Sequence, residues 1–228
     1  MSRRPTRRVA VWVVGLLAVG LTACKHETYE SGDGEYSYLQ AHYVEAATNG
    51  NSQFVQALTD DNARLAFTKP VKAAWATTPD STYRALLYHK QVAADGTTEP
   101  FSLRRVSVVK LRPRAEGEAL GMDPVVFESA WISENHKYLN IAFGLKTGRT
   151  ADGKARQTVD LVLVRERRLP DGTAERSVAF SHRQNKVPEY YTTHHVVSMP
   201  LEGFQGTINL TVHSYKGTVG KLLTIPRQ

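Results

Sequence analysis

Eight histidines are the first residues that could carry chemistry, because imidazole serves both as a metal ligand and as a general base. His194 and His195 are adjacent in a run of β-forming residues, so their rings are expected on opposite faces of a strand and cannot easily share one ion. No His-x-His or His-x-x-x-His spacing occurs. We interpret His182 as a side chain that orients a loop by a hydrogen bond to a carbonyl group. The sequence therefore predicts no metal site.

Nucleophile and carboxylate arrangements are equally sparse. Ser181-His182 places a hydroxyl beside an imidazole, but it lacks the glycine-flanked serine of a nucleophile elbow. The carboxylate pair Asp60-Asp61 is assigned to a turn, where Asp accepts backbone hydrogen bonds. Glu116 and Glu118 are assigned to a solvated linker. We expect neither an enzyme nor a bound cofactor; a hydrolase whose site is assembled from distant residues stays open as an alternative.

Aromatic and basic residues offer a binding surface instead. Trp75, Tyr83 and Tyr88 could stack against a polymer, with Arg105 as a neighbouring cation, as in small barrels that bind extended ligands. The alternative is that the aromatic residues belong to a core and that the cations protect an edge strand from aggregation. If this surface binds a ligand, an anionic glycan or an envelope protein is the expected partner, and nucleic acid is not.

The single cysteine, Cys24, follows an N-terminal segment with its own pattern. Residues 3–8 are basic, and residues 9–21 are free of charge but too short to span a bilayer, which needs about 20 apolar residues. The sequence Leu21-Thr22-Ala23-Cys24 is similar to the lipobox of bacterial lipoproteins. This predicts a signal peptide over residues 1–23, acylation of the Cys24 thiol, and a flexible tether over residues 24–36.

Removal of the leader changes the charge of the chain. The full sequence has 29 Lys or Arg and 22 Asp or Glu, a net charge of +7. Four of the cations lie in the leader, so the mature chain would carry 25 Lys or Arg against the same 22 carboxylates, a net +3. The high isoelectric point is therefore largely a property of the targeting segment, and it does not indicate nucleic-acid binding. We expect the mature protein at the outer membrane, on its periplasmic or its surface-exposed face.

Period-two alternation of apolar residues dominates the rest of the chain and predicts an all-β fold. Asp-Gly pairs at Asp95-Gly96, Asp152-Gly153 and Asp171-Gly172 predict hairpin turns between strands. Strands are predicted near residues 38–47, 53–58, 63–68, 82–93, 102–111, 125–132, 137–147, 156–167, 174–182, 194–199, 206–214 and 218–225. The segment 60–66 could form a short helix, but it is equally consistent with a turn that leads into a strand.

The spacing of these strands predicts two domains. Residues 112–123 contain a proline, two glycines and mixed charge, which is typical of an interdomain linker. Five strands over residues 37–114 suit a small OB-like barrel. Seven strands within residues 115–228, after the remaining linker residues, suit an immunoglobulin-like β-sandwich.

Three groups of residues resemble the NigD-like lipoproteins. They are Asp123-Pro124-Val125-Val126 with Trp131, Tyr138-Leu139-Asn140-Ile141-Ala142-Phe143 and Gly148; Phe180-Ser181-His182-Arg183-Gln184-Asn185 with the Tyr190 region; and Tyr83-Arg84-Ala85-Leu86-Leu87-Tyr88. The likeness covers nearly the whole mature chain. Two positions depart from the family pattern: Lys25-His26-Glu27 replaces an acidic run, and Asn62 stands where glycine is common, although Asn also tolerates left-handed backbone angles.

The resemblance implies a lipobox, an N-terminal OB-like domain and a C-terminal β-sandwich. The family name comes from a bacteriocin gene cluster, but the family has no established biochemical activity. We therefore expect a lipid-anchored envelope protein that acts as a non-enzymatic binding or assembly module. An oligosaccharide or polymer binder that uses the OB-like face, or a bacteriocin-related accessory or immunity protein, is the alternative.

Overall fold

The computed structural model describes residues 38–150 and 153–227, and all of the regular secondary structure in these residues is β-strand. Fifteen strands in the described residues form three sheets. This confirms the prediction of an all-β fold. The described part of the chain offers no helix that could span a bilayer. Cys24, the predicted signal peptide and the predicted tether lie outside the described residues.

The first sheet curls into a small, partly open barrel. Its strands are β1 (Gln40–Thr48), β2 (Gln53–Thr59), β3 (Arg64–Lys72), β4 (Thr82–His89), β5 (Thr97–Thr98) and β6 (Pro100–Arg105), in the order β5-β3-β2-β1-β4-β6. Strand β5 pairs with β3 at one edge and β6 pairs with β4 at the other, with only Glu99 between β5 and β6. One bent segment of chain therefore joins both edges, as the predicted OB-like barrel requires.

Alternation of side chains along the strands fills the barrel. Along β1, Val44 and Ala46 are buried while Tyr43 and Glu45 point to the outer face. The core residues of the barrel are fully or nearly fully buried and include Val44, Ala46, Phe54, Ala57, Leu65, Ala85, Leu87 and Leu103. The turn between β2 and β3 contains Asn62 with φ 68°, so asparagine adopts the left-handed conformation that was expected of it there.

The second part of the chain is a sandwich of two sheets. Its strands are β7 (Ser107–Val108), β8 (Leu111–Pro113), β9 (Val126–Ile132), β10 (Tyr138–Thr147), β11 (Thr158–Arg168), β12 (Ala174–Arg183), β13 (Tyr191–Pro200), β14 (Gly206–Ser214) and β15 (Gly217–Ile225). One sheet has the order β7-β13-β10-β9 and the other β15-β14-β12-β11-β8. Phe143 of β10 meets Phe180 of β12 edge to face, with ring centroids 4.8 Å apart, and so joins the two sheets in the core.

The sandwich begins earlier in the chain than the sequence suggested. Strand β7 pairs with β13 and β8 pairs with β11, both in parallel, so residues 107–113 extend the two sheets of the sandwich. The spacing of the strands in the sequence instead predicts a barrel over residues 37–114 and a linker over residues 112–123. Strand β8 is only three residues long and contains a proline, and its position at the edge of a sheet is what allows that proline.

Candidate binding surface at the junction of the barrel and the sandwich

Two of the four predicted binding residues pack inside the barrel. Trp75 and Tyr83 form an aromatic cluster with Phe54, with ring centroids 5.2 to 5.8 Å apart. The Tyr83 hydroxyl accepts a hydrogen bond from the backbone N–H of Thr78 at 2.9 Å. Both aromatic side chains are half-buried and lie against the apolar core. Their position is that of packing residues.

The other two predicted binding residues lie apart from each other. Tyr88 is on the outer face of β4, where the guanidinium of Arg104 is 5.6 Å from its ring centroid. Arg105 is exposed and lies opposite Ala85, whose side chain points into the barrel. Because side chains alternate along a strand, Tyr83 and Tyr88 project from opposite faces of β4. The four side chains therefore do not form one stacking surface.

A groove that the sequence did not reveal crosses the outer face of the barrel. We call it the barrel groove; its volume is about 430 Å³. Small or polar side chains from β1 to β4 form most of it, and the turn at Asp95-Gly96 closes one side. The residues that line it include Glu45, Ala47, Gln56, Arg64, Ala66 and Thr82. Among the residues that the structure describes, no aromatic side chain lines the groove, so the groove suits hydrogen bonds and ion pairs more than stacking.

Glu45 connects the barrel groove to the sandwich. Its carboxylate accepts hydrogen bonds from the ammonium group of Lys137 at 2.7 Å and from the hydroxyl of Tyr138 at 2.8 Å. Burial would raise the pKa of Glu45, but the bonds from Lys137 and Tyr138 outweigh it, and the pKa lies below its ordinary value. Burial and the bond to this carboxylate raise the pKa of Tyr138 to about 12. The Glu45 carboxylate is therefore held ionised in the groove wall, with its charge paired to the Lys137 ammonium group of the sandwich.

Arg84 holds the barrel and the sandwich together. It lies on the outer face of β4, yet its side chain is only 1% exposed, because the four-stranded sheet of the sandwich covers it. Its guanidinium makes a bidentate pair with the carboxylate of Asp60, at 2.6 and 2.7 Å. The Asp60 backbone carbonyl accepts a further bond, at 2.7 Å, from the N–H of Asn135 in the sandwich. Asp60 therefore does more than shape a turn.

The sandwich supplies the other partners of Arg84. Its guanidinium donates to the Ser198 hydroxyl at 3.1 Å and to the side-chain oxygen of Asn140 at 3.2 Å. It also lies 4.3 Å from the centroid of the Tyr138 ring, a cation–π contact. Beside it, Tyr43 of the barrel meets Trp131 of the sandwich with centroids 5.6 Å apart. A buried charge with this many partners requires the two parts of the chain to keep one orientation at this contact.

Two histidines meet at the edge of the same junction. Nδ1 of His42 is 2.8 Å from Nε2 of the fully buried His89, whose own Nδ1 is 2.7 Å from the carbonyl of Lys90. This arrangement suits a neutral His89 that donates to Lys90 and accepts from His42. His42 also borders a depression of about 310 Å³ between the barrel and the sandwich, together with Tyr43, Asp61, Trp131 and Glu134.

Burial lowers the pKa of His89 below its ordinary value, with a smaller contribution from His42. The unfolded chain therefore binds a proton at a higher pH than the folded chain does, and folding stability is lost as the pH falls below about 6.5. We expect the free energy of unfolding to fall between about pH 7 and pH 5, and the variant His89→Asn to show a flatter dependence. Urea denaturation at several pH values measures this slope.

His136→Asn is the matched control for this measurement, because His136 has φ 55°, which asparagine tolerates. It should leave the slope unchanged. An equal slope in the native protein and His89→Asn would mean that His89 contributes nothing to the pH dependence, whatever the variant does to stability at pH 7.

Three further histidines, His182, His194 and His195, contact structural partners. Nδ1 of His182 is 3.0 Å from the carbonyl of Asp123, which confirms the interpretation of His182 as a loop-orienting residue, and Nε2 is 2.8 Å from Oε1 of Gln157. His194 faces Glu128, whereas His195 stacks beside Phe143, so the two rings do point away from each other. Among the described residues, no three His, Cys, Asp or Glu side chains converge as metal ligands.

Comparisons with other proteins agree with this architecture. The family model of the NigD-like C-terminal beta sandwich domain matches residues 107–225, and it begins at the strand where pairing places the start of the sandwich. No curated protein matches the chain.

Three solved structures share the fold across barrel and sandwich. A toxin-related protein from Parabacteroides distasonis is 20% identical, with a TM-score of 0.61 over 82% of this chain and 93% of its own. A NigD-like immunity protein from Bacteroides caccae is 17% identical, with a TM-score of 0.60 over 82% and 91%. A protein assigned as a lipoprotein from Bacteroides fragilis is 10% identical, with a TM-score of 0.55 over 83% and 100%. Since the family model covers more than half of the sequence, the chain belongs to the NigD-like family.

Proposed function

We propose that this protein is a lipid-anchored envelope protein that binds a partner protein through the barrel groove and catalyses no reaction. The observation that carries the proposal is the link from Glu45, in the wall of the groove, to Lys137 and Tyr138 of the sandwich. The groove thereby adjoins a junction whose central charge, Arg84, is desolvated and ion-paired with Asp60. A preformed groove in which small apolar side chains surround a few polar groups, on a fixed support, is the geometry of a binding module.

The location and the biological context of this role are supported by the lipobox-like sequence and by two structural relatives. One relative is assigned as a lipoprotein and another is called a NigD-like immunity protein. We extend both roles to this chain: acylation at Cys24 would hold the domains at the outer membrane, and the partner would belong to a bacteriocin-related system. Acylation would also raise the local concentration of the protein at the membrane, so a groove of modest affinity would suffice.

The lining of the groove favours a protein over a polysaccharide or single-stranded polymer. Sugar and base binders stack their ligands on exposed aromatic rings, and the described part of the chain contributes no such ring to the groove. Its alternating carboxylate, guanidinium and amide groups, at Glu45, Arg64 and Gln56, match the mixed charges of a protein surface.

A bulky residue in the groove tests this proposal. Ala66 is exposed in the groove lining, and Ala66→Trp should fill the floor without disturbing the barrel core. Cross-linking of the native acylated protein in its own membrane should capture an envelope protein. We expect Ala66→Trp to capture about tenfold less of this protein, or less still. The captured protein is identified and quantified by mass spectrometry.

Thr224→Trp is the matched control, since Thr224 is an exposed strand residue of the sandwich outside the groove. It should capture the same partner in the native amount. Equal capture by Ala66→Trp and the native protein would remove the groove from the proposal. A polysaccharide whose capture is lost in Ala66→Trp, in place of a protein, would instead favour the polymer-binding alternative.

A further inference from the structure

The end of the sandwich that lies farthest from the barrel has an unusual concentration of positive charge. Strands β10 and β13 pair from Tyr138↔Pro200 beside the barrel to Thr147↔Tyr191 at the other end, a separation of about 30 Å. Three loops lie at the distal end, and we call their described residues the basic tip. These residues are 146–150 and 153–157 in the first loop, 183–191 in the second and 214–217 in the third. The tip contains seven Lys or Arg and one carboxylate, Glu189.

Most of the excess charge of the folded part of the chain is concentrated there. From residue 38 onward the sequence has 24 Lys or Arg and 18 Asp or Glu. If Asp123 at the base of the tip and Asp152 are also counted, the tip still has four more cations than carboxylates. The whole chain from residue 38 onward has six more cations than carboxylates, so most of this excess belongs to the tip. Such an imbalance creates a positive potential over one end of the molecule.

Contacts between the loops hold the tip together as one surface. The carbonyl of Lys146 accepts hydrogen bonds from the side-chain amides of Gln157 and Gln184, at 2.9 and 3.0 Å. Asn185 donates to the carbonyl of Arg156 at 2.8 Å. The third loop joins through Tyr215, whose ring centroid is 3.8 Å from the ammonium group of Lys146. The loops that carry these cations are therefore in contact with one another.

Several cations of the tip are left without a carboxylate. Elsewhere in the described residues basic side chains are commonly ion-paired, as in Arg167 with Glu175 at 2.5 Å and Arg112 with Glu118 at 2.6 Å. Arg149, Lys186 and Lys216 are exposed and form no ion pair with any described carboxylate. An anionic ligand could therefore pair with them without displacing an internal partner.

Exposed tyrosines complete the surface and indicate the kind of ligand. Tyr190 is 78% exposed and Tyr191 58% exposed, and Tyr215 lies at the edge of the same loops. These rings carry hydroxyl groups, and no large aliphatic side chain of the three loops is among the exposed ones, as insertion into a bilayer would require. Aromatic faces beside cations suit a sugar polymer that carries negative charges.

We infer that the basic tip binds an acidic polysaccharide, with Arg149, Lys186 and Lys216 pairing with its carboxylate or sulfate groups and the tyrosines lying against its sugar rings. This site is about 30 Å from the junction and does not depend on the barrel groove. The protein would then hold a charged glycan at one end and a protein partner at the other.

The test measures retention of the acylated protein, in neutral detergent micelles, on immobilised polygalacturonate and chondroitin sulfate. We expect retention that weakens with salt, because exposed ion pairs are screened, and none on neutral dextran. The triple variant R149Q, K186Q, K216Q should bind at least tenfold more weakly. The control variant K72Q, K110Q, K221Q removes the same charge from exposed positions outside the tip and should bind as the native protein does.

Three outcomes would overturn the inference. One is equal weakening by the two triple variants, since this would indicate a response to net charge alone. The second is undiminished binding by the tip variant. The third is loss of glycan retention when phosphatidylglycerol is added to the micelles, which would assign the tip to lipid headgroups. The variant Ala66→Trp should retain full glycan binding, so failure of the groove proposal and failure of this one are distinguishable.

Discussion

Replacing Arg84 by methionine is expected to cost about 3–5 kcal/mol of folding stability and to uncouple the barrel from the sandwich. Methionine keeps most of the volume against the Tyr138 ring but leaves the Asp60 carboxylate, which is 18% exposed, without its guanidinium partner. Asn140 and Ser198 lose a donor at the same time, and the side-chain nitrogen of Asn140 already has no partner among the described residues. Urea denaturation followed by tryptophan fluorescence measures the loss.

The two tryptophans of the described chain make uncoupling visible. Trp75 reports on the barrel and Trp131 on the junction. In the native protein we expect a single transition, whereas in Arg84→Met the junction signal should change at lower urea concentration than the barrel signal. The double variant Arg84→Met, Asp60→Asn should recover part of the loss, because it no longer leaves a partly buried carboxylate unpaired.

Arg104→Met is the matched control. Arg104 is an exposed arginine of β6 that contacts the Tyr88 ring, and removing such a side chain should change stability by less than about 1 kcal/mol. If Arg84→Met costs no more than Arg104→Met, then apolar contacts such as Tyr43 with Trp131 hold the junction, and the buried ion pair contributes little.

The strands of this protein could be predicted because their signal is local. Alternation along residues 137–147 predicted β10, and all seven strands expected after residue 124 are present with small shifts at their ends. The hairpin turns are equally local: Gly96 and Gly172 have φ of 81° and 85°, the left-handed angles for which Asp-Gly turns are selected. The fold class followed from these patterns and from the resemblance to a family.

Arg84 shows why the junction could not be predicted. In the sequence it alternates with residues that point into the barrel core, so it lies on the outer face of β4. An arginine in that position is ordinarily solvated. What buries it is a sheet that begins more than 20 residues later in the chain. Its partners Asp60, Asn140 and Ser198 are far apart in the sequence, and no spacing rule connects them.

The four candidate binding residues remain a prediction, and two of them, Trp75 and Tyr83, lie where the packing alternative expects them. Aromatic residues such as Trp75 and Tyr83 can bind polymers, but in a barrel of this size large side chains are also needed to fill the interior. The barrel groove is formed instead by residues such as Ala47 and Ala66, which are small residues at outward-facing positions. Small residues on the outward positions of neighbouring strands are the one sequence signal that could have indicated it.

Replacing Cys24 by serine is expected to abolish membrane anchoring completely while leaving the folded domains intact. Each acyl chain contributes about 0.8 kcal/mol per buried methylene group, so several chains hold a protein at the membrane almost irreversibly. A serine hydroxyl at position 24 cannot take up the thioether-linked lipid. The native protein should therefore enter the detergent phase on detergent phase separation, and Cys24→Ser should stay in the aqueous phase.

Mass spectrometry of the N-terminal peptide separates the alternatives. The native peptide should begin at Cys24 and carry the mass of attached fatty acids, and the control Thr22→Ser, which keeps a small residue in the lipobox-like sequence, should give the same acylated peptide. An intact leader, or a mature terminus elsewhere without acyl mass, would contradict lipidation. The barrel groove would then have to meet its partner without the high local concentration that a membrane anchor provides, and nanomolar affinity would be needed in place of micromolar affinity.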